Sequence, residues 1–142
     1  MFADSLLQAE QLHLFRLGVW AAGSVIVGTL IFVVLARRRP ATAILRHFAA
    51  QMTGWGLLEL AYAALSWPHL GLRDVAGATR LDRLLWLNLG FDLGLVAVGA
   101  TLALVGWRAG RRLGFVSAGI GVIVQATALF LINARLAALI SR

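Results

Sequence analysis

The chain has 142 residues, 61% of them apolar and only 13% charged, against about 45–50% and about 25% in an ordinary soluble domain. It contains no Cys, which excludes disulfides, thiol catalysis and Cys-ligated metals. All 13 basic residues are Arg and the net charge is +7; where those Arg residues sit points to membrane topology rather than to nucleic acid.

The apolar residues gather in four runs near the roughly 20 residues that cross a hydrocarbon core of about 30 Å. Residues Asp4 to Leu14 read as helical, with Asp4 or Ser5 as N-cap, and either extend the first span outward or lie on the surface. The first span covers roughly 15–36 and stops at Arg37-Arg38-Arg39-Pro40. The second covers roughly 43–67 and stops at Pro68. Loop 68–83 carries Gly71, Gly77 and alternating charges, and its Leu70, Leu72 and Val75 suit a short amphipathic turn at the membrane surface. The third span covers roughly 84–107, before Arg108, Arg111 and Arg112, and the fourth roughly 113–136. Trp67, Trp86 and Trp107 fall near span ends, as an aromatic belt requires. Residues 1–142 thus read as a single domain: an all-α, four-transmembrane-helix up-and-down bundle, integral to a membrane.

Orientation follows from the Arg residues. Loops 37–42 and 108–112, counted with Arg46, hold seven Arg and no acid. The opposite side holds six Arg diluted by Asp4, Glu10, Asp74 and Asp82. The positive-inside rule puts both tight loops in the cytoplasm of a bacterial inner membrane, with both termini and loop 68–83 outside. Arg37, Arg38, Arg39, Arg108, Arg111 and Arg112 are expected to fix topology and meet anionic lipid headgroups. The N-terminus lacks a basic stretch before its first apolar run, so no cleaved signal peptide is expected.

Each span carries polar or small residues at helical spacing. In the second, His47, Gln51, Trp55 and Glu59 recur every four residues and Tyr62 follows three later, a pattern that shares one face. Asn88 and Asp92 do so in the third, continuing through Gly99 and Gly106. Ser117, Gly121, Gln125 and Asn133 align in the fourth, and Arg16, Trp20, Ser24 and Gly28 in the first. Polar groups are costly in hydrocarbon, so these stripes are expected to face inward and the Leu/Val/Ile faces to meet lipid.

Glu59 and Asp92 each lie about eight residues from the outer end of their spans, roughly 12 Å deep at 1.5 Å per residue. Antiparallel neighbours would bring them to one level. Two carboxylates there resist being charged together unless Arg16 compensates, and would titrate as a unit. That is the chemistry of a proton carrier or cation site. The plainer reading is hydrogen-bonded glue between helices, worth about 0.6–2 kcal/mol each.

The two halves also share a layout. A shift of 72 brings Arg16 onto Asn88 and Trp20 onto Asp92; a shift of 66 brings Gln51 onto Ser117 and Glu59 onto Gln125. An ancestral duplication would relate the halves by an axis along the membrane normal. Gly90-x-x-x-Gly94 and Gly114-x-x-x-Ala118 permit close helix approach and are expected to pack within the chain. His13, His47 and His69 lack the spacing of a metal or haem site, and no cofactor is expected. There is no phosphate-binding Gly loop and no nucleic-acid motif.

Leu17-Gly18-x-Trp20, the stretch His47 to Trp55 with Gln51-Met52, Asn88 to Asp92, and Gly119-x-Gly121 to Gln125 together resemble a family of small, functionally uncharacterised bacterial four-helix membrane proteins. The resemblance covers nearly the whole chain and implies the architecture without an activity.

The leading functional expectation is a small transport or channel-like protein. In it Glu59 and Asp92 carry a proton or cation, Asn88, Gln125, Gln51 and Asn133 line the route, and Arg16 tunes the pair. The alternative is a non-catalytic accessory subunit of a larger membrane complex, such as an energy-transducing one. An enzyme is not expected. The partners would be the lipid bilayer and either a second copy, as a homodimer, or that larger complex.

Overall fold

The computed structural model describes residues 2–37 and 43–140. Four long helices make up nearly all of it: α1 (Phe2–Arg37), α2 (Ala43–Ser66), α3 (Val75–Arg108) and α4 (Leu113–Ile140). A single 3-10 turn, Trp67–His69, follows α2, where Pro68 cannot continue an α-helix. The described residues contain no strand, so the all-α expectation holds.

Three helices are longer than their apolar cores suggest. Residues Asp4–Leu14 contain no Gly or Pro, and α1 runs through them unbroken, so the N-terminal stretch extends the first helix instead of lying apart. The third helix starts at Val75, nine residues ahead of the expected 84. Its start is set by Asp74, whose extended backbone lets its carboxylate accept a hydrogen bond of 2.7 Å from the Gly77 amide. Much of loop 68–83 is therefore helix. The fourth helix continues to Ile140, past the expected 136.

Consecutive helices run antiparallel. Gly28 meets Ala49 and Thr53, and Gly56 meets Ala21 and Ser24, which fixes α1 against α2. A Cβ on Gly99 would lie 2.8 Å from the Gly119 carbonyl oxygen and 2.8 Å from Ile123, so α3 and α4 touch backbone to backbone there. Between them the chain reverses through Gly110 (φ 79°) and Arg111 (φ 55°), and the Arg111 guanidinium stacks over Trp107 at 5.2 Å. The Gly90-x-x-x-Gly94 expectation fails: a Cβ added at either glycine would meet no atom of another element within 4 Å, and both are exposed. Gly114 does pack within the chain, against His47.

The bundle is not an even ring. Helix α4 contacts the other three, α2 lies beside α4, and α2 and α3 scarcely meet. Small clusters of Leu14, Leu17 and Ala63 on one side, and of Leu85, Leu89, Leu136 and Ala137 on the other, stand across the resulting gap.

Burial is inverted relative to a soluble protein. The largest wholly enclosed side chains are Gln125, Ser24 and Ser117, while Leu57, Leu58, Leu65, Leu87 and Phe91 are more than half exposed. Three helices, α1, α3 and α4, are long and apolar enough to cross a membrane. The second is not, because Arg46, His47, Gln51 and Glu59 dilute it.

Candidate functional site

Where α2 and α3 part, a cavity of about 780 Å³ opens, floored by α4 and closed on one flank by α1. Its side chains come from all four helices and the α2–α3 connection. Glu59 of α2 is 6% exposed, and neither carboxylate oxygen has a hydrogen-bond partner among the described residues. Asp92 of α3 is 3% exposed and accepts a hydrogen bond of 2.8 Å from the Asn133 amide of α4. The two acids line the same space. On the same face of α2, Trp55 lies one turn before Glu59 and Tyr62 one turn after; both line the cavity.

A second polar group sits at the other end, near the 3-10 turn. Arg73 donates to both oxygens of Glu10, at 2.6 and 2.8 Å. This bidentate geometry ties the α2–α3 connection to the first helix. The hydrogen bonds to Glu10 hold the Arg73 guanidinium above its ordinary value, with burial opposing. His13 and His69 line the same end, and His13 Nδ1 has no partner among the described residues.

Of the seven residues singled out from the sequence, the cavity brings together Glu59, Asp92, Asn88 and Asn133. Asn88 stands at its exposed edge. Gln125 lies off the cavity and is fully enclosed: its Oε1 accepts from Trp20 Nε1 at 2.7 Å, and its Nε2 lies 3.5 Å from Met52 Sδ. Gln51 accepts from Trp55 Nε1 at 3.0 Å and also lies off the cavity. Arg16 does not line it.

Glu10 and Arg73 were not foreseen, because 63 residues separate them. The available signal was Glu10-x-x-His13-Leu14-x-x-Leu17, a helical face on which one acid precedes a run of core residues. Among the basic residues, Arg38 and Arg39 lie outside the described residues, and of Arg37 only the backbone is described. Arg108, Arg111 and Arg112 are exposed at the same end of the bundle as the C-terminus of α1. No group of three or more His, Cys, Asp or Glu that could hold a metal gathers among the described residues.

The halves can now be compared in space. The shifts of 72 and 66 pair Trp20 with Asp92 and Gln125 with Glu59. Trp20 and Gln125 join α1 to α4 by a hydrogen bond, while Asp92 and Glu59 stand on α3 and α2 across the open gap. The same pair of positions is thus closed on one side of the bundle and open, with two acids, on the other.

These features define a class: an all-α bundle of four long helices, with apolar residues on its outer surface, polar groups buried within it, and a cleft between α2 and α3 lined by two acids. More particularly, the chain belongs to a family of unknown function, DUF6992, whose model matches residues 16–134. The matched segment holds both acids and Arg73 but begins after Glu10 and His13. No curated protein and no solved structure matches the chain.

Proposed function

We propose that the chain crosses a membrane with all four helices and carries a proton or cation at Glu59 and Asp92. The second helix joins the other three as a span for two reasons. Its 24 residues reach about 36 Å at 1.5 Å each, longer than the roughly 30 Å hydrocarbon core. Its Leu57, Leu58, Leu60 and Leu65 point outward while Glu59 and Gln51 turn inward, the arrangement lipid demands. The Arg-rich end then faces the cytoplasm, and the cleft and both termini face the other side.

One observation carries the functional reading: the Glu59 carboxylate is buried without a hydrogen-bond partner among the described residues, in a cleft shared with a second acid. An unsatisfied carboxylate in a poor dielectric is costly, and a bound proton or cation removes the cost. The cleft reaches from the Glu10–Arg73 pair to Trp55 and Leu95 and no farther, so complete passage requires a rearrangement of α2 against α3. In liposomes loaded with a pH dye, Glu59→Gln or Asp92→Asn is expected to abolish proton or Na⁺ flux while the protein still folds. Unchanged flux sinks the proposal.

The second reading is an accessory subunit of a larger membrane complex. It is favoured by the open Gly90 and Gly94 on α3, a surface against which a partner helix fits closely. Gentle extraction and native mass spectrometry separate the two. A monomer or homodimer supports the carrier, and stoichiometric release from a larger assembly supports the subunit.

A further inference from the structure

We infer that the cleft between α2 and α3 binds a hydrophobic organic monocation, an amine or quaternary nitrogen with an apolar body, taken from the lipid side and held by Glu59. The inference rests on the carrier reading only in sharing Glu59; it concerns what occupies the site.

Size speaks first. A proton needs no cavity, and a small cation needs a tight shell of oxygens, six to eight for calcium. The cleft is about 780 Å³, within the range of roughly 300–1,000 Å³ that takes drug-sized organic ligands. Its donors are few and spread out, and no metal-holding group of three or more acidic or His side chains occurs among the described residues.

Charge narrows the class. Arg73 is engaged with both oxygens of Glu10, so it offers little to an anion. Asp92 already receives the Asn133 amide. Of the acids lining the cleft, Glu59 alone has no hydrogen-bond partner among the described residues, so it is the carboxylate left for a bound cation to pair with. The aromatic rings of Trp55 and Tyr62 flank Glu59 on α2, and Phe91 adjoins Asp92. A carboxylate between aromatic faces suits an organic cation, which gains both the ion pair and the ring quadrupoles.

Access follows from the packing. Leu58, Leu65, Leu84 and Phe91 line the cleft and are nevertheless 50–71% exposed, so they form its mouth on the outer surface of the bundle. In a membrane that mouth opens to lipid, where a hydrophobic cation concentrates.

The test uses the full chain in lipid nanodiscs and N-hexylpyridinium, a monocation whose ring quenches tryptophan fluorescence. Hexylbenzene, of similar shape and no charge, is the comparison. Saturable quenching by hexylpyridinium is expected, with affinity at least tenfold weaker in Glu59→Gln. In Trp55→Phe, which keeps an aromatic ring with a weaker quadrupole, equilibrium dialysis is expected to show binding weakened by no more than a few-fold while the saturable quenching is lost, which locates the probe even if the Glu59 variant fails to fold. Equal binding of hexylbenzene, or unchanged affinity in a folded Glu59→Gln, overturns the inference. So does saturable quenching that survives in Trp55→Phe. The two readings fail separately. Glu59-dependent proton or Na⁺ flux without hexylpyridinium binding leaves the carrier and removes the organic ligand. Glu59-dependent binding without flux does the reverse.

Discussion

Replacing Glu59 by Leu is expected to stabilise the fold, and the sign of that effect separates a binding site from helix glue. Both Glu59 oxygens are buried and unpartnered among the described residues, and Asp92 lines the same space. Leaving a polar group buried without a partner costs about 1–3 kcal/mol. Leu is larger than Glu by about one methylene, but the adjoining cavity leaves room for it, so overpacking adds little. The expected gain is about 1–2 kcal/mol, with transport or ligand binding lost. Asp92→Leu should move the other way. It removes the acceptor of a 2.8 Å hydrogen bond from Asn133 and is expected to cost about 0.6–1.7 kcal/mol, the range for such bonds inside membranes. The assay is reversible unfolding in nanodiscs by steric trapping, with thermal midpoints as a check. A Glu59→Leu protein destabilised by more than about 1 kcal/mol would refute the reasoning, because Glu59 would then be making a stabilising contact.

Other outcomes follow from the packing. Gly119→Ala places a Cβ 2.6 Å from the Ala103 amide nitrogen, a backbone atom that cannot swing aside; a loss of about 1–3 kcal/mol is expected, read by the same unfolding assay. Trp20→Phe removes the donor to a fully enclosed Gln125 and should cost about 1–2 kcal/mol, whereas adding Gln125→Leu should recover part of that loss. A double-mutant cycle with Glu10→Gln and Arg73→Gln is expected to give a coupling near 1 kcal/mol, discounted because the Arg73 side chain is 35% exposed; a coupling of zero would mean the pair does not fasten the α2–α3 connection.

The elements were legible where the signal is local. Proline 68 ends α2 as expected, and the Arg-rich turn at 108–112 separates α3 from α4. The start of α3 was misread because Asp74 and Asp82 look like loop charges until Asp74 is seen to cap the helix through Gly77. The second helix is a different case. Its polar residues were legible as one stripe, and those same residues interrupt it so that it is not among the three helices apolar enough to cross a membrane. The stripe located Glu59, Asp92 and Asn133, but it could not distinguish Gln125, which closes against Trp20, from Glu59, which is left open.

The sequence by itself determined that this chain forms helices, how many, which face of each is polar, and which end carries the Arg residues. Those are properties of neighbours along the chain, set by a period of 3.6 residues and by the cost of polar groups in hydrocarbon. Tertiary structure alone decided that α4 takes the centre, that α2 and α3 stand apart, and that Glu10 reaches Arg73. Helix order and rotation depend on contacts such as Gly99 with Gly119, made by residues far apart in sequence, and no local period encodes which stripe meets which.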